Sequence, residues 1–190
     1  MNDPFFFGYG SLVNTATHDF ENTRTASARG WRRAWRHTSL REVSFLTAVP
    51  DTLSRIDGLI ASVPGSDWAA LDAREHAYER LNATHQVEHE VPHPLDIAIY
   101  AIAPERHGPP SDDHPILMSY LETVLQGYLH QFGRDGVVGF IATTDGWDAP
   151  IRDDRAAPVY PRHQRITAEQ SEMFRDCLTD IGARIMVPSA

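Results

Sequence analysis

The chain has 190 residues, 42% of them apolar and 23% charged, with a formal net charge of −9. That is the length of a single domain, 1–190, with apolar residues enough for a core. The acidic balance argues against nucleic acid as a partner, and no apolar run reaches the roughly 18 residues a membrane span requires. All 17 basic residues are arginine, which excludes a Schiff-base lysine, a pyridoxal-phosphate lysine and the lysine of a P-loop.

Met1 to Phe7 has no basic n-region, and its apolar run is too short for a signal peptide. Cys177 is the lone cysteine and has no intramolecular disulfide partner, so the expected compartment is the cytoplasm. Phe5-Phe6-Phe7, cut off by Gly8 and Gly10, reads as a buried strand entering a tight loop. Trp31 to Arg36, Ser44 to Val49 and Ile56 to Val63 read as further strands, with Pro50-Asp51 as a turn between the last two.

Pro64-Gly65-Ser66 breaks the strand pattern, and with Ser66 as N-cap a helix is predicted over 67–78. Val87 to Val91 and Asp96 to Ala103 are predicted strands. Leu117, Leu121, Val124, Leu125, Tyr128 and Phe132 recur at helical spacing, with Pro115 before them and Gly133 at the expected C′ position. Thr167 to Gln170 fits a capping box, after which Phe174, Leu178, Ile181 and Ile185 form an apolar stripe, with Cys177 as a small core residue. The fold class is α+β.

On a helix, Trp68, Leu71, Glu75 and Tyr78 fall within an arc of about 80°. Glu75 is then a carboxyl on a core-facing stripe, where burial raises its pKa toward the value a general acid/base needs. The same spacing is satisfied if Glu75 simply pairs with an arginine such as Arg80, and one more residue of helix would bring Glu79 into competition.

Gly8-Tyr9-Gly10-Ser11-Leu12 follows a strand and offers backbone N–H groups and a hydroxyl to an anion, or serves only as a turn. Val13 stands where a dinucleotide-binding loop has its third glycine. Arg152, Arg155, Arg162 and Arg165 accompany Pro158, Tyr160 and Pro161 in an arm whose guanidiniums either grip a carboxylate or are bridged to nearby acids in solvent.

Read in order, Phe7 to Leu12, Gly30-Trp31-Arg32-Arg33, and Leu71 to Glu75 with Tyr78 and Arg80 resemble the γ-glutamylcyclotransferase family over roughly the first 105 residues. Asp154-Arg155 to Tyr160-Pro161-Arg162 looks like the tail of bacterial members. The resemblance implies a small mixed β-barrel flanked by helices. It also implies a loop (Gly8, Tyr9, Gly10, Ser11, Leu12) that holds a γ-glutamyl moiety, Glu75 as the one essential acid/base, and Tyr78 beside it. Arg80, Arg155, Tyr160 and Arg162 are second-rank candidates for substrate contact. No cofactor is implied, and the partner is a small γ-glutamyl compound: glutathione, a γ-glutamyl amino acid or a γ-glutamyl amine.

Two other readings stand beside it: a non-catalytic small-molecule-binding module of the same fold, and a zinc-dependent hydrolase. His85, His89 and His93 recur every four residues, but Pro92 and Pro94 oppose a helix there. In an extended segment their Cα atoms lie about 13 Å apart, too far to share one metal.

Overall fold

A computed structural model describes residues 3–39 and 42–186. Its strands and helices are, in order, β1 (Phe5–Gly8), β2 (Arg24–Arg36), β3 (Phe45–Ser62), α1 (Ala69–Arg74), β4 (Glu79–Asn82), β5 (Val87–His89), β6 (Ile97–Ala101), β7 (Ile116–Leu117), α2 (Met118–Ala142), β8 (Thr144–Asp145), β9 (Ile151–Arg152), α3 (Ala168–Asp180) and β10 (Ile185–Met186). The main sheet runs β4-β6-β1-β3-β2-β5, with β8 beside β2, and a small sheet runs β10-β9-β7. The fold is α+β with a mixed, barrel-like sheet that does not close, its path ending at β4 and β5.

β1 lies inside the sheet, parallel to β6 and antiparallel to β3. This explains the unbroken Phe5-Phe6-Phe7 run, since an interior strand covered on both faces needs apolar residues pointing both ways. Phe5 and Phe7 enter the main core with α2, whereas Phe6 packs with Ala61, Val63, Leu71 and Tyr100 on the other side.

The predicted turn at Pro50-Asp51 is not a strand break. β3 continues from Phe45 to Ser62 and pairs with all of β2, which starts at Arg24 rather than Trp31. The turn residues instead form a bulge between the Arg29↔Arg55 and Trp31↔Pro50 pairs. Asp51 accepts there from the Leu53 N–H at 3.1 Å and the Ser54 hydroxyl at 2.6 Å, leaving Leu53 exposed. Opposite it Gly30, at φ 77°, takes up the register shift.

The helix predicted over 67–78 is α1, six residues long, and its N-cap is Trp68 rather than Ser66. It stops early because Glu79–Asn82 pairs with β6 as β4, and a strand residue cannot continue a helix. α2 runs past the predicted end. Gly133 (φ 68°, ψ −165°) breaks it where a C′ residue was expected, yet a second helical stretch follows directly to Ala142.

The capping box at Thr167 forms, with Gln170 N donating to Thr167 Oγ1 at 3.2 Å and Thr167 N to Gln170 Oε1 at 3.1 Å. The stripe predicted on α3 is shorter. Phe174, Cys177 and Leu178 are buried, whereas Ile181 caps the helix, Ile185 lies in β10, and both are exposed. Among the described residues, no helix is long and apolar enough to cross a membrane.

Candidate active site

The glycine loop leaves β1 at Gly8 and winds into two short 3-10 turns, Ser11–Val13 and Thr15–Thr17. Three anchors fix it. Asn14 accepts from the Ala16 N–H at 3.2 Å and donates to Thr123 O at 2.9 Å and Gln126 Oε1 at 3.0 Å on α2. Gly127 permits that contact, since a Cβ there would lie 2.6 Å from the Asn14 nitrogen.

The second anchor is Arg33, from the Gly30-Trp31-Arg32-Arg33 motif, which is 1% exposed. Its Nε donates to Tyr9 O at 3.1 Å, its Nη1 to the Thr143 hydroxyl at 2.6 Å, and its Nη2 to the Tyr128 hydroxyl at 2.5 Å and to Asp57 O. Its guanidinium also lies 4.9 Å from the Tyr128 ring centroid and 5.0 Å from that of Phe140. Burial pushes the Tyr128 hydroxyl up to about 12, so at neutral pH it remains a donor.

Tyr9 itself is the third anchor. Its hydroxyl donates to Tyr100 O at 2.6 Å and accepts from the Ala48 N–H at 3.0 Å, tying the loop to β6 and β3. Burial raises its pKa above the ordinary tyrosine value. The polar end of Tyr9, expected to face substrate, is therefore engaged in the core.

Glu75 is the C-cap of α1, with φ −100° and ψ 29°, its N–H bonded to Leu71 O at 2.9 Å. The chain then turns, Tyr78 N donating to Glu75 O at 2.7 Å. Its setting is not an apolar helix stripe but an ion pair at the edge of a cavity: Arg74 Nε lies 3.1 Å from Glu75 Oε1, with side-chain exposures of 13% and 17%. The arginine partner is thus its chain neighbour, not Arg80, which pairs with Asp72 at 3.5 Å and lies 4.3 Å from the Trp68 ring centroid. Glu79, once the helix has ended, sits on β4 and pairs with Arg106 at 3.6 Å.

Glu75, Tyr78, Ser11, Leu46 and Tyr120 are shared by two adjoining compartments. The inner one, of about 40 Å³, is bounded by Phe7 to Leu12 and Tyr100. The outer one, of about 210 Å³, adds Arg74, His76, Tyr160 and Arg162. Tyr78 donates to Leu46 O at 2.9 Å. The tripeptide Gly8-Tyr9-Gly10 and the distant carboxyl of Glu75 therefore meet around one space.

Sequence reasoning missed Tyr120, which lies just beside the apolar stripe of α2. No local pattern marks it, because only the fold brings its hydroxyl to the loop, 2.8 Å from where a Cβ on Gly10 would sit. Burial raises the Tyr120 pKa well above the ordinary value, and its ring packs edge-on against Tyr160 at 5.0 Å.

Tyr160 and Arg162 reach the rim because the arm is stitched along one face of α2. Buried Asp154 accepts from Ser119 N at 2.8 Å, Ser119 Oγ at 2.5 Å and Val159 N at 2.9 Å. Tyr160 N and Gln164 N donate to the Ser119 and Thr123 hydroxyls, each at 3.2 Å, and Gln126 Nε2 donates to Arg165 O at 3.0 Å. Arg155 faces elsewhere, pairing with Asp153 at 2.5 Å and Glu122 at 3.5 Å. His85, His89 and His93 do not converge, and among the described residues no group of three His, Cys, Asp or Glu is placed to hold a metal.

The sequence model of the family described as Gamma-glutamyl cyclotransferase, AIG2-like matches residues 6–119, more than half of the chain. The chain belongs to this family. Its function is accordingly of the γ-glutamyl cyclotransferase type, and the matched span includes the loop, Arg33, Glu75 and Tyr78. No curated protein sequence matches it.

Solved structures share the fold at low identity. One titled γ-glutamyl cyclotransferase superposes with TM-score 0.58 at 12% identity, over 92% of this chain and 99% of that one. The uncharacterized protein loc79017 from Homo sapiens gives 0.59 at 13%, over 92% and 99%. YkqA from Bacillus subtilis gives 0.56 at 17%, over 77% and 57%.

Proposed function

We propose that this member of the family is a cofactor-independent enzyme that releases 5-oxoproline from a γ-glutamyl compound, with Glu75 carrying the proton. One arrangement supports the reading: Glu75, half-buried and ion-paired to Arg74, borders both the loop compartment and the larger compartment beside it.

In the reaction the substrate's α-amine attacks its own γ-carbonyl, the new C–N bond closes a five-membered ring, and the C–N bond to the attached amine breaks. Both reacting groups belong to one molecule, so a cavity that holds it bent supplies much of the effect, up to about 7–11 kcal/mol. Ion pairing presents Glu75 as a carboxylate, the form that accepts a proton from the substrate ammonium and returns it to the leaving nitrogen. The neutral phenols of Tyr100 and Tyr120, kept protonated by burial, line the space without competing for that proton. Backbone N–H groups of the loop hold the α-carboxylate or the developing oxyanion, the latter worth about 3 kcal/mol for a well-placed donor.

The test is incubation of purified protein with γ-glutamyl dipeptides, glutathione and γ-glutamyl-lysine, followed by mass spectrometry for 5-oxoproline. Glu75→Gln is expected to lower turnover by about 10²–10⁴-fold while the unfolding midpoint stays within a few degrees. Substrate binding without product would replace this reading with the binding module. Activity lost to a chelator would favour the zinc hydrolase.

A further inference from the structure

The two compartments differ in charge. Among the residues bounding the inner one, Glu75 alone carries a formal charge, and the rest are glycine, apolar or hydroxyl-bearing. The outer one adds two guanidiniums, Arg74 and Arg162. In a chain of net charge −9, this is a locally positive wall around a single carboxylate.

The two arginines come from different parts of the chain, one from the end of α1 and one from the stitched arm, and both border the same space. Burial lowers the Arg74 pKa, Glu75 opposes that, and the charge of Arg162 lowers it further. The guanidiniums therefore repel each other across the cavity, and an anion between them relieves the repulsion. Arg74 meets Glu75 through Nε, the inner nitrogen of its fork.

If the γ-glutamyl group occupies the compartment built by the loop, its scissile amide lies at Glu75 and whatever is attached extends into the outer compartment. We infer that Arg74 and Arg162 form a carboxylate subsite for the leaving group, so that this chain acts on γ-glutamyl amino acids or peptides rather than γ-glutamyl amines. The inference rests on the ring-closing reading above. Guanidinium–carboxylate pairing supplies both the orientation and the selectivity.

γ-Glutamyl-alanine and γ-glutamyl-ethylamide differ only by that carboxylate, and each releases 5-oxoproline if cyclised. The expected ratio of kcat/KM, acid over amide, is about tenfold or more, carried by KM. The ratio should fall in Arg162→Gln, recover in part in Arg162→Lys, and shrink as salt is raised. Arg162 is exposed, so its replacement leaves the core untouched. Equal kcat/KM for the two substrates, or a ratio unmoved by Arg162→Gln, overturns the subsite while leaving the ring closure intact. Release of 5-oxoproline from neither compound overturns the ring-closing reading itself and the subsite with it.

Discussion

The two walls of the cavity are built by opposite means. The loop wall rests on buried groups: an interior strand of three phenylalanines, a guanidinium 1% exposed, and a tyrosine hydroxyl bonded to two neighbouring strands. The arm wall has few apolar anchors and is held by polar bonds from Asp154, Ser119, Thr123 and Gln126 along one helix face. Both sets of ties are buried, but those of the loop join β3, β6 and α2, whereas those of the arm join one segment to one helix face, so losing an arm stitch affects chiefly that segment. The wall nearer the proposed proton transfer is tied into the main sheet and core, and the wall proposed to select the leaving group is tied to one face of α2.

Arg33 offers the strongest way to break this contrast. Arg33→Met removes the charge-assisted bonds behind the loop, and a loss of about 3 kcal/mol in urea unfolding is expected, with kcat/KM falling alongside. Arg33→Lys keeps the charge but not the planar fork, so it should recover only part of both. A loop held independently of the core would instead lose activity without stability.

Asp154→Ala tests the other wall. It leaves the Ser119 and Val159 N–H groups without their acceptor, and a cost of about 2 kcal/mol is expected. Its main signature should be an increase in KM of roughly tenfold, since Tyr160 and Arg162 lose their register while Glu75 and the loop keep theirs. Steady-state kinetics separates this from a kcat defect, which would mean that the arm also shapes the reacting centre.

The smallest effect is expected at Glu122, buried where the arm meets α2. Burial raises its pKa above the ordinary 4.5, with Arg155 opposing in part. The folded chain therefore holds this proton more tightly than the unfolded chain, so the group's contribution is fully present below pH 4.5 and is lost as pH rises through the folded value. Glu122→Gln should raise the unfolding midpoint at pH 7 by the equivalent of on the order of 1 kcal/mol, with the gain vanishing in acid. Thermal melts at both pH values check the sign.

Parts of the site could be read directly from residue order. Gly8 to Leu12, Glu75 and Tyr78, which the resemblance grouped, border one cavity; of these the loop alone has a local signal, glycines after an apolar strand. Tyr160 and Arg162 were separable from Arg155 only in three dimensions, since all three belong to one arm and face different ways. Arg33 stood in the resemblance as a motif residue, but its task behind Tyr9 depends on β2 lying where β3, α2 and the loop converge.

The amino-acid pattern by itself determined the interior first strand, the loop after it and the capping box of α3, because each depends on neighbours within a few residues. Tertiary pairing decided the rest. β4 cut α1 short and set Glu75 at a helix end beside Arg74, and the Asp51–Ser54 bulge let β3 run past its own turn signal. Hydrogen bonds between strands distant in sequence outweigh local preference there, and they turned a carboxyl expected on a buried stripe into one that is ion-paired at the edge of a cavity.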